Sequence, residues 1–467
     1  MSDITPTDKQ PPSATVLKLP EEALGRKDGI RQHRKCFAAC ALISLCSFQY
    51  GFDFGMIGGL QAMVGFLQVF GHRAPDLPLG WNISTQRQQL ISSLMMIGGL
   101  VSCLLTGPIA AVAFLGPASG IWTSAGGLVG TIVDNSTEAI DGRQAYMIPM
   151  SFMYIIPAII SIGLFFIPES PRWLLQHARG DQARAALRWL RPYGEAELEA
   201  EFCDMQDALK AHAEAEKGAA FMDMFKNPVN RRRTALAVCV VLVQNTSGAF
   251  YMISYGTYFF ANAGLGKPFQ DSCITAAVGI VAVLVNSAVI THVGRRRVFL
   301  PCGLLLCGLT QLLIAVVYTV DPGTESTGRA IVGLAVIYIF GYYGMIITYS
   351  LISAGELPSQ QLRSYTFGLA TAVGFLGAWV STFTTPYFIN PESLNWGPKY
   401  GYLWAPLCVI SAAWVYFFLP EVKGRRLEEI DEMFEARLPA KKFRNYVCVG
   451  RRGGASSEGK VANVKGK

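Results

Sequence analysis

The sequence predicts an all-α polytopic membrane protein that crosses the bilayer about ten times, and three observations carry that prediction. Of its 467 residues 51% are hydrophobic and only 16% charged, with a mean hydropathy of +0.32, a composition foreign to a soluble domain of this length. Ten apolar stretches approach the ~20 residues that a helix needs to cross ~30 Å of hydrocarbon. Lys and Arg gather in alternate loops, which is how a multi-pass chain marks its cytoplasmic side.

Residues 1–35 form a polar, Pro-rich tail carrying Arg26, Lys27, Arg31, Arg34 and Lys35. It has no apolar h-region, so no cleaved signal peptide is expected and the tail belongs in the cytoplasm. Four spans of a first membrane half (36–168) are expected at 36–60, 89–115, 117–133 and 146–168. From Leu90 to Val133 no residue is charged, so the chain has to turn at Gly116-Pro117 without a basic loop. The third span then holds only ~16 residues before Asp134, or ~24 Å at 1.5 Å per residue, short for a bilayer.

Residues 169–233 read as a cytoplasmic helical linker rich in Ala, Glu, Arg and Leu, with Arg172, Arg179, Arg184, Arg188, Arg191 and Arg231–Arg233. A second half (234–420) follows with spans at 234–262, 272–293, 297–320, 328–353, 365–388 and 400–420. Its inner loop at 294–297 is Gly-Arg-Arg-Arg, and the tail 421–467 is again basic. The opposite loops near 70–88, 134–145, 263–271 and 389–399 hold few basic residues, so both termini and the linker lie inside. The tail segment 427–438, LEEIDEMFEARL, is expected as a short amphipathic helix on the membrane surface. Beyond Lys441 the Gly-, Ser- and Lys-rich chain is expected to be disordered.

The formal charge of +7 follows from this loop bias and is no signature of nucleic-acid binding. Eleven Cys are scattered, with no Cys-x-x-Cys pair, and read as small apolar packing residues. No phosphate loop, nucleophile elbow or zinc-binding helix pattern occurs, so neither an enzyme nor a cofactor or metal is expected. The sequons at Asn82 and Asn135 fall in expected outward loops, where each is a candidate glycosylation site. The sequon at Asn245 lies inside a span, out of reach.

One phrase recurs. PESPRWLL at Pro168–Leu175 closes the first apolar block, and PEVKGRRLEEID at Pro420–Asp431 closes the second. Such a pair suggests a duplicated membrane half, yet four spans precede the first copy and six the second. With GFDFGMIGG (51–59), VGRRR (293–297) and GELPSQQLR (355–363), these motifs resemble the sugar porter branch of the major facilitator superfamily, in its fungal form. YGTYFFANAG (255–264) and LNWGPKYGYLW (394–404) are most similar to fungal α-glucoside and hexose permeases.

The resemblance implies the major facilitator fold and alternating access around a midplane site between two six-helix halves. Laid on that pattern, the family's helices three and four are missing here, with the join around Ile109–Gly120. The implied activity is proton-coupled uptake of a sugar or polyol, with substrate, protons and the lipid bilayer as partners and the plasma membrane as location. A less polar metabolite as cargo, and a non-transporting sensor or inactive shortened paralogue, stay open as alternatives.

Asp53 lies within a span, where a carboxylate costs at least ~2.5 kcal/mol, so it should be functional or paired. By resemblance it is the proton-coupling group, although the family's basic partner sits on the missing fourth helix; simple hydration near the cavity is the plainer alternative. Gln244 and Asn245 are polar residues with apolar flanks. They match paired amides that hydrogen-bond sugar hydroxyls, while helix-to-helix hydrogen bonding is the plainer alternative. Tyr255 and Tyr349 join them as implied ligand contacts. Phe250 stands where the family has a further Asn, and Leu351 where many hexose carriers have Trp. Arg295, Arg296, Glu356, Arg363 and Glu421 match a cytoplasmic charge network that closes the inner side, with Glu169 and Arg172 as its first-half counterpart. Thr291 and Val422 replace two usual members of that network.

Overall fold

A computed structural model describes residues 33–448 apart from 111–116, 141, 193, 217–220, 263–266 and 293. The first 32 residues of the expected N-terminal tail, part of the expected join and the chain beyond 448 lie outside the described residues. The chain divides into two compact units, one of residues up to Ala41 with Ile167–Leu209, the other of Leu42–Phe166 with Lys210–Lys467.

The smaller unit holds helices α6 (Pro171–Gln176), α7 (Gly180–Leu190) and α8 (Glu195–Glu216). Leu174, Ala183, Leu187, Leu198 and Phe202 make its small core. Across the α7–α8 hairpin, Arg184 pairs with Glu199, Arg188 with Glu195 and Arg191 with Glu201. The hydrogen bond from Arg184 holds the Glu199 carboxyl below the usual carboxylate range. These pairs are partly or fully exposed and contribute little each, so the apolar seam holds the hairpin.

The first membrane half comprises α1 (Arg34–Leu60), the short α2 (Val64–Phe70), α3 (Thr85–Ala110), α4 (Pro117–Thr137) and α5 (Gln144–Leu164). Between α2 and α3 a two-residue antiparallel ladder pairs β1 (His72–Arg73) with β2 (Trp81–Asn82). After the short α9 (Asp223–Lys226), the second half runs α10 (Pro228–Thr246), α11 (Ala249–Asn262), α12 (Pro268–His292) and α13 (Arg296–Val320). It continues with α14 (Glu325–Gly341), a π-helical turn at Tyr342–Ile347, α15 (Thr348–Glu356), α16 (Arg363–Ile389) and α17 (Gly401–Phe418). Helix α18 (Leu427–Glu435) lies in the tail.

Eight spans among the described residues are long and apolar enough to cross a membrane. They match eight of the ten expected. The other two expected spans are the helices α3 and α4, which fall outside that set. Expected as a short span ending before Asp134, α4 continues to Thr137, so Asp134 is carried inside a helix. Helix α10 starts earlier than expected because Asn227 caps it, accepting from the Val229 amide at 2.9 Å, and Pro228 supplies its first turn. Arg233 therefore sits inside a helix, 3% exposed, and not in the linker.

The halves interlock through two helix pairs, α3 along α16 and α4 along α12, while α10 packs along α16 within the second half. Helices α1 and α4 meet through glycine, for Gly51 and Gly55 face the backbone of Thr123 and Gly127, and Gly59 faces the Asp134 carboxylate. The amphipathic segment α18 buries Ile430, Met433 and Phe434 against protein, with the Arg233 guanidinium 4.7 Å from the Phe434 ring. Its apolar face is thus spent on the bundle, not on lipid as expected. Disorder was expected after Lys441, yet Ala440–Asn445 form a 3-10 turn, and Phe443 and Cys448 are fully buried.

Candidate functional site

Gln244 and Asn245 occupy the last turn of α10. Three residues after Asn245, Gly248 takes φ +78° and interrupts the helix, and Trp404 packs onto it so closely that a Cβ would lie 2.9 Å from the indole. The expected single span 234–262 is therefore two helices, α10 and α11. Both amides lie on the wall of a cavity of about 770 Å³. Gln244 Nε2 donates to Ser350 Oγ at 2.6 Å, and Asn245 Nδ2 donates to Gly374 O at 3.0 Å. Asn245 Oδ1 is buried with no protein donor, which leaves an acceptor whose pairing would be worth about 1–3 kcal/mol.

The rest of the wall is small, aromatic or hydroxylated. Helix α1 contributes Tyr50, Gly51 and Phe54, and the π-helical turn contributes Tyr342, Tyr343 and Ile347. A π-turn inside an α-helix shifts the register of side chains around the axis, a device common at functional sites. Phe250 and Leu351, the two departures from the family's polar and indole groups, both line the cavity. No charged side chain lines it among the described residues.

Three expected site residues lie elsewhere. Tyr255 is fully buried and its hydroxyl donates to Thr382 O at 2.7 Å, tying α11 to α16 behind the wall. Tyr349, also fully buried, stacks on Phe299 at 5.2 Å beside Gly294, under the cytoplasmic charges. Asp53 is on the face of α1 turned from the cavity, where its Oδ1 accepts from Gln49 Nε2 at 2.6 Å. Gln49 is held in turn by Met153 O of α5.

The expected charge network is only partly assembled. Arg296, 11% exposed, pairs with Glu356 and reaches Glu421 at 3.9 Å, while the Arg297 amide donates to Glu421 Oε2 at 3.1 Å. Arg363 lies at the start of α16 with its Nε buried and without an acceptor. Arg295 caps α13 with an exposed side chain that enters none of the described ion pairs. Glu169 and Arg172 belong to the smaller unit, are exposed, and enter none either. Sequence reasoning missed a member: Arg233 pairs with Asp431 at 2.6 Å and donates to Leu357 O at 2.7 Å.

A profile of the family described as "Sugar (and other) transporter" matches residues 39–113 and 113–434. The chain belongs to that family. The two matched segments meet at residue 113, inside the stretch where the join was expected. The chain is 34% identical over 324 residues to the general alpha-glucoside permease of Saccharomyces cerevisiae, covering 68% of this chain and 52% of the permease. To maltose permease MAL31 of the same yeast it is 29% identical over 322 residues, with the same coverage. It thus spans about half the length of the curated relatives it matches. Among solved structures, the inward open conformation of the xylose transporter XylE from E. coli superposes with a TM-score of 0.64 at 16% identity, over 85% of this chain and 99% of that one. The proton:xylose symporter XylE bound to 6-bromo-6-deoxy-D-glucose gives 0.60 at 15%, over 86% and 100%. At such identities the likeness is one of fold, and the fold is that of the major facilitator superfamily.

In this sugar transporter family member the outer end is tied shut by a polar lock that no motif announced. Asn390, at the end of α16, donates to Ile83 O and Gln88 Oε1, both at 2.9 Å, and accepts from Asn82 Nδ2 at 3.1 Å. The Tyr258 hydroxyl donates to Asn82 Oδ1 at 2.8 Å, and His72 pairs with Glu392 at 2.9 Å. Asn82, expected in an outward loop as a glycan acceptor, is instead buried in this cluster. It is 1% exposed, and its amide nitrogen donates to Asn390. Asn135, expected in a loop, lies in the last turn of α4 with its Oδ1 buried. Asn390→Ala strands Asn82 and Gln88, at about 1–3 kcal/mol for each unpaired group. We expect the outer end to open more often. In a chain cleared of native cysteines, Ser92→Cys should then label at least about tenfold faster with an impermeant thiol reagent; an unchanged rate denies the lock its role.

Proposed function

We propose that this chain carries a sugar or related polyol across the plasma membrane by alternating access, together with protons. The observation that carries the reading is the paired amides at the α10–α11 break, with Asn245 Oδ1 unspent, on an uncharged cavity wall. Amides both donate and accept, which suits a ligand of many hydroxyls, and about 770 Å³ lies within the range of small-molecule sites. The yeast relatives are named for α-glucosides and maltose, and XylE as a proton:xylose symporter. Asp53 is the group on α1 proposed to take the proton.

The test is uptake of labelled maltose and glucose in yeast stripped of its own sugar carriers. Gln244→Leu should lower uptake about 10–100-fold, since it removes a hydrogen bond and leaves its partners unpaired. Asp53→Asn should abolish accumulation against a gradient. A second reading is favoured by Phe250 and Leu351 on the wall: a less polar cargo. Flux of an apolar metabolite with none of either sugar would replace the first reading with the second.

A further inference from the structure

Asp134 is the most deeply buried carboxylate among the described residues, 1% exposed, and neither of its oxygens has a hydrogen-bond donor. It fits against α1 only because position 59 is glycine: a Cβ there would stand 2.0 Å from Oδ2. An ionised carboxylate taken out of water with no donor costs far more than a neutral acid, so this packing favours the acid form.

Its place in the wall says what the proton is for. Along α4, Thr131, Asp134 and Glu138 stand at spacings of three and four, one face of a helix. Thr131 lines the central cavity, and Glu138, just past the helix end, lines a second cavity of about 320 Å³ with Lys267. On α1 the same order holds, for Gly55 lines the central cavity, Gly59 meets Asp134, and Ala62 lines the outer one. Asp134 therefore occupies the septum between the two spaces. Burial pushes the Glu138 carboxyl up. The other titratable groups facing this point are Cys273 of α12 and Lys267, and α1 presents none.

We propose that Asp134 is a proton relay between the outer vestibule and the transport cavity, loaded through Glu138. The Glu138 O–H bond breaks as an Asp134 O–H bond forms, across one helical turn of roughly 5.4 Å that a single water bridges. The proton then leaves to water in the cavity on the Thr131 side. Since α4 packs along α12, unloading requires that contact to loosen and admit water. The relay rests on the transport reading for its purpose, but its titration does not.

The experiment is infrared difference spectroscopy of the full chain in liposomes, comparing neutral with alkaline pH, on wild type, Asp134→Asn, Asp53→Asn and Glu138→Gln. An ordinary aspartate titrates near ~3.9 and shows no acid carbonyl band at neutral pH. We expect such a band in wild type and Asp53→Asn, and its loss in Asp134→Asn; a band that survives Asp134→Asn overturns the proposal. Should that variant fail to reconstitute, Glu138→Gln decides: slowed hydrogen–deuterium exchange of the band supports the relay, and unchanged exchange refutes it. With maltose as probe, gradient-driven accumulation should fall about tenfold per pH unit of gradient no longer used. Absence of wild-type maltose flux sinks the transport reading alone, because the bands are read without substrate.

Discussion

Arg296→Met should lower the stability of the chain in detergent by about 3–5 kcal/mol, the cost of removing one member of a buried ion pair. Arg296 pairs with both Glu356, at the end of α15, and Glu421, after α17. Their side chains are 30% and 12% exposed, so water replaces the guanidinium poorly. The methionine fills the volume and leaves two carboxylates facing each other, so the loss measures charge and not a cavity. Adding Glu356→Gln should restore part of it, because the second change relieves the repulsion that the first creates. Thermal unfolding followed by tryptophan fluorescence reads both. A midpoint unmoved in the single variant would mean that the network is solvated and holds nothing together. Since the three joined elements all end at the cytoplasmic side, the same variant should populate a looser inner end.

The architecture was legible because membrane physics writes it in large letters. Apolar runs of bilayer length and basic inner loops leave few other readings, and the repeated Pro-Glu phrase at Pro168 and Pro420 pointed to two related halves. Gln244 and Asn245 stood out because a polar pair in an apolar run has to be accounted for, and they do lie on the cavity wall. Tyr255 and Tyr349 did not follow them there. The face that a tyrosine presents depends on the break at Gly248 and the π-turn at Tyr342–Ile347, and both arise from tertiary packing, as Trp404 on Gly248 illustrates. The burial of Asn82 was unreadable for a related reason. A sequon reports local sequence, whereas the hydrogen bonds that bury this one come from Asn390, more than three hundred residues away. Asp134 was hidden by an assumption, that a charged residue marks the end of a span.

Gly51→Val is expected to prevent the bundle from assembling. A Cβ at Gly51 would stand 1.8 Å from Thr123 O, and one at Gly55 would stand 2.4 Å from Gly127 O. From the other side, a Cβ at Gly126 would stand 1.9 Å from Phe48 O and one at Gly130 2.7 Å from Phe52 O. All four obstacles are backbone atoms, which no rotamer change moves, so a side chain has to push the helices apart. In lipid nothing pulls them back, because tails solvate an apolar helix as well as another helix does, and close packing is itself the attraction. Overpacking a core ordinarily costs about 1–3 kcal/mol, and against rigid backbone along a whole helix pair the loss should exceed that range. Gly333→Ala is the control: nothing lies within 4 Å of that Cβ, and alanine favours helix by roughly 1 kcal/mol. After detergent extraction Gly333→Ala should elute as a single species with unfolding no earlier than wild type, and Gly51→Val should aggregate. If both behave alike, the glycine contact is dispensable. If they differ, the wall that Gly51, Gly55 and Gly127 share with the central cavity owes its position to the missing side chains.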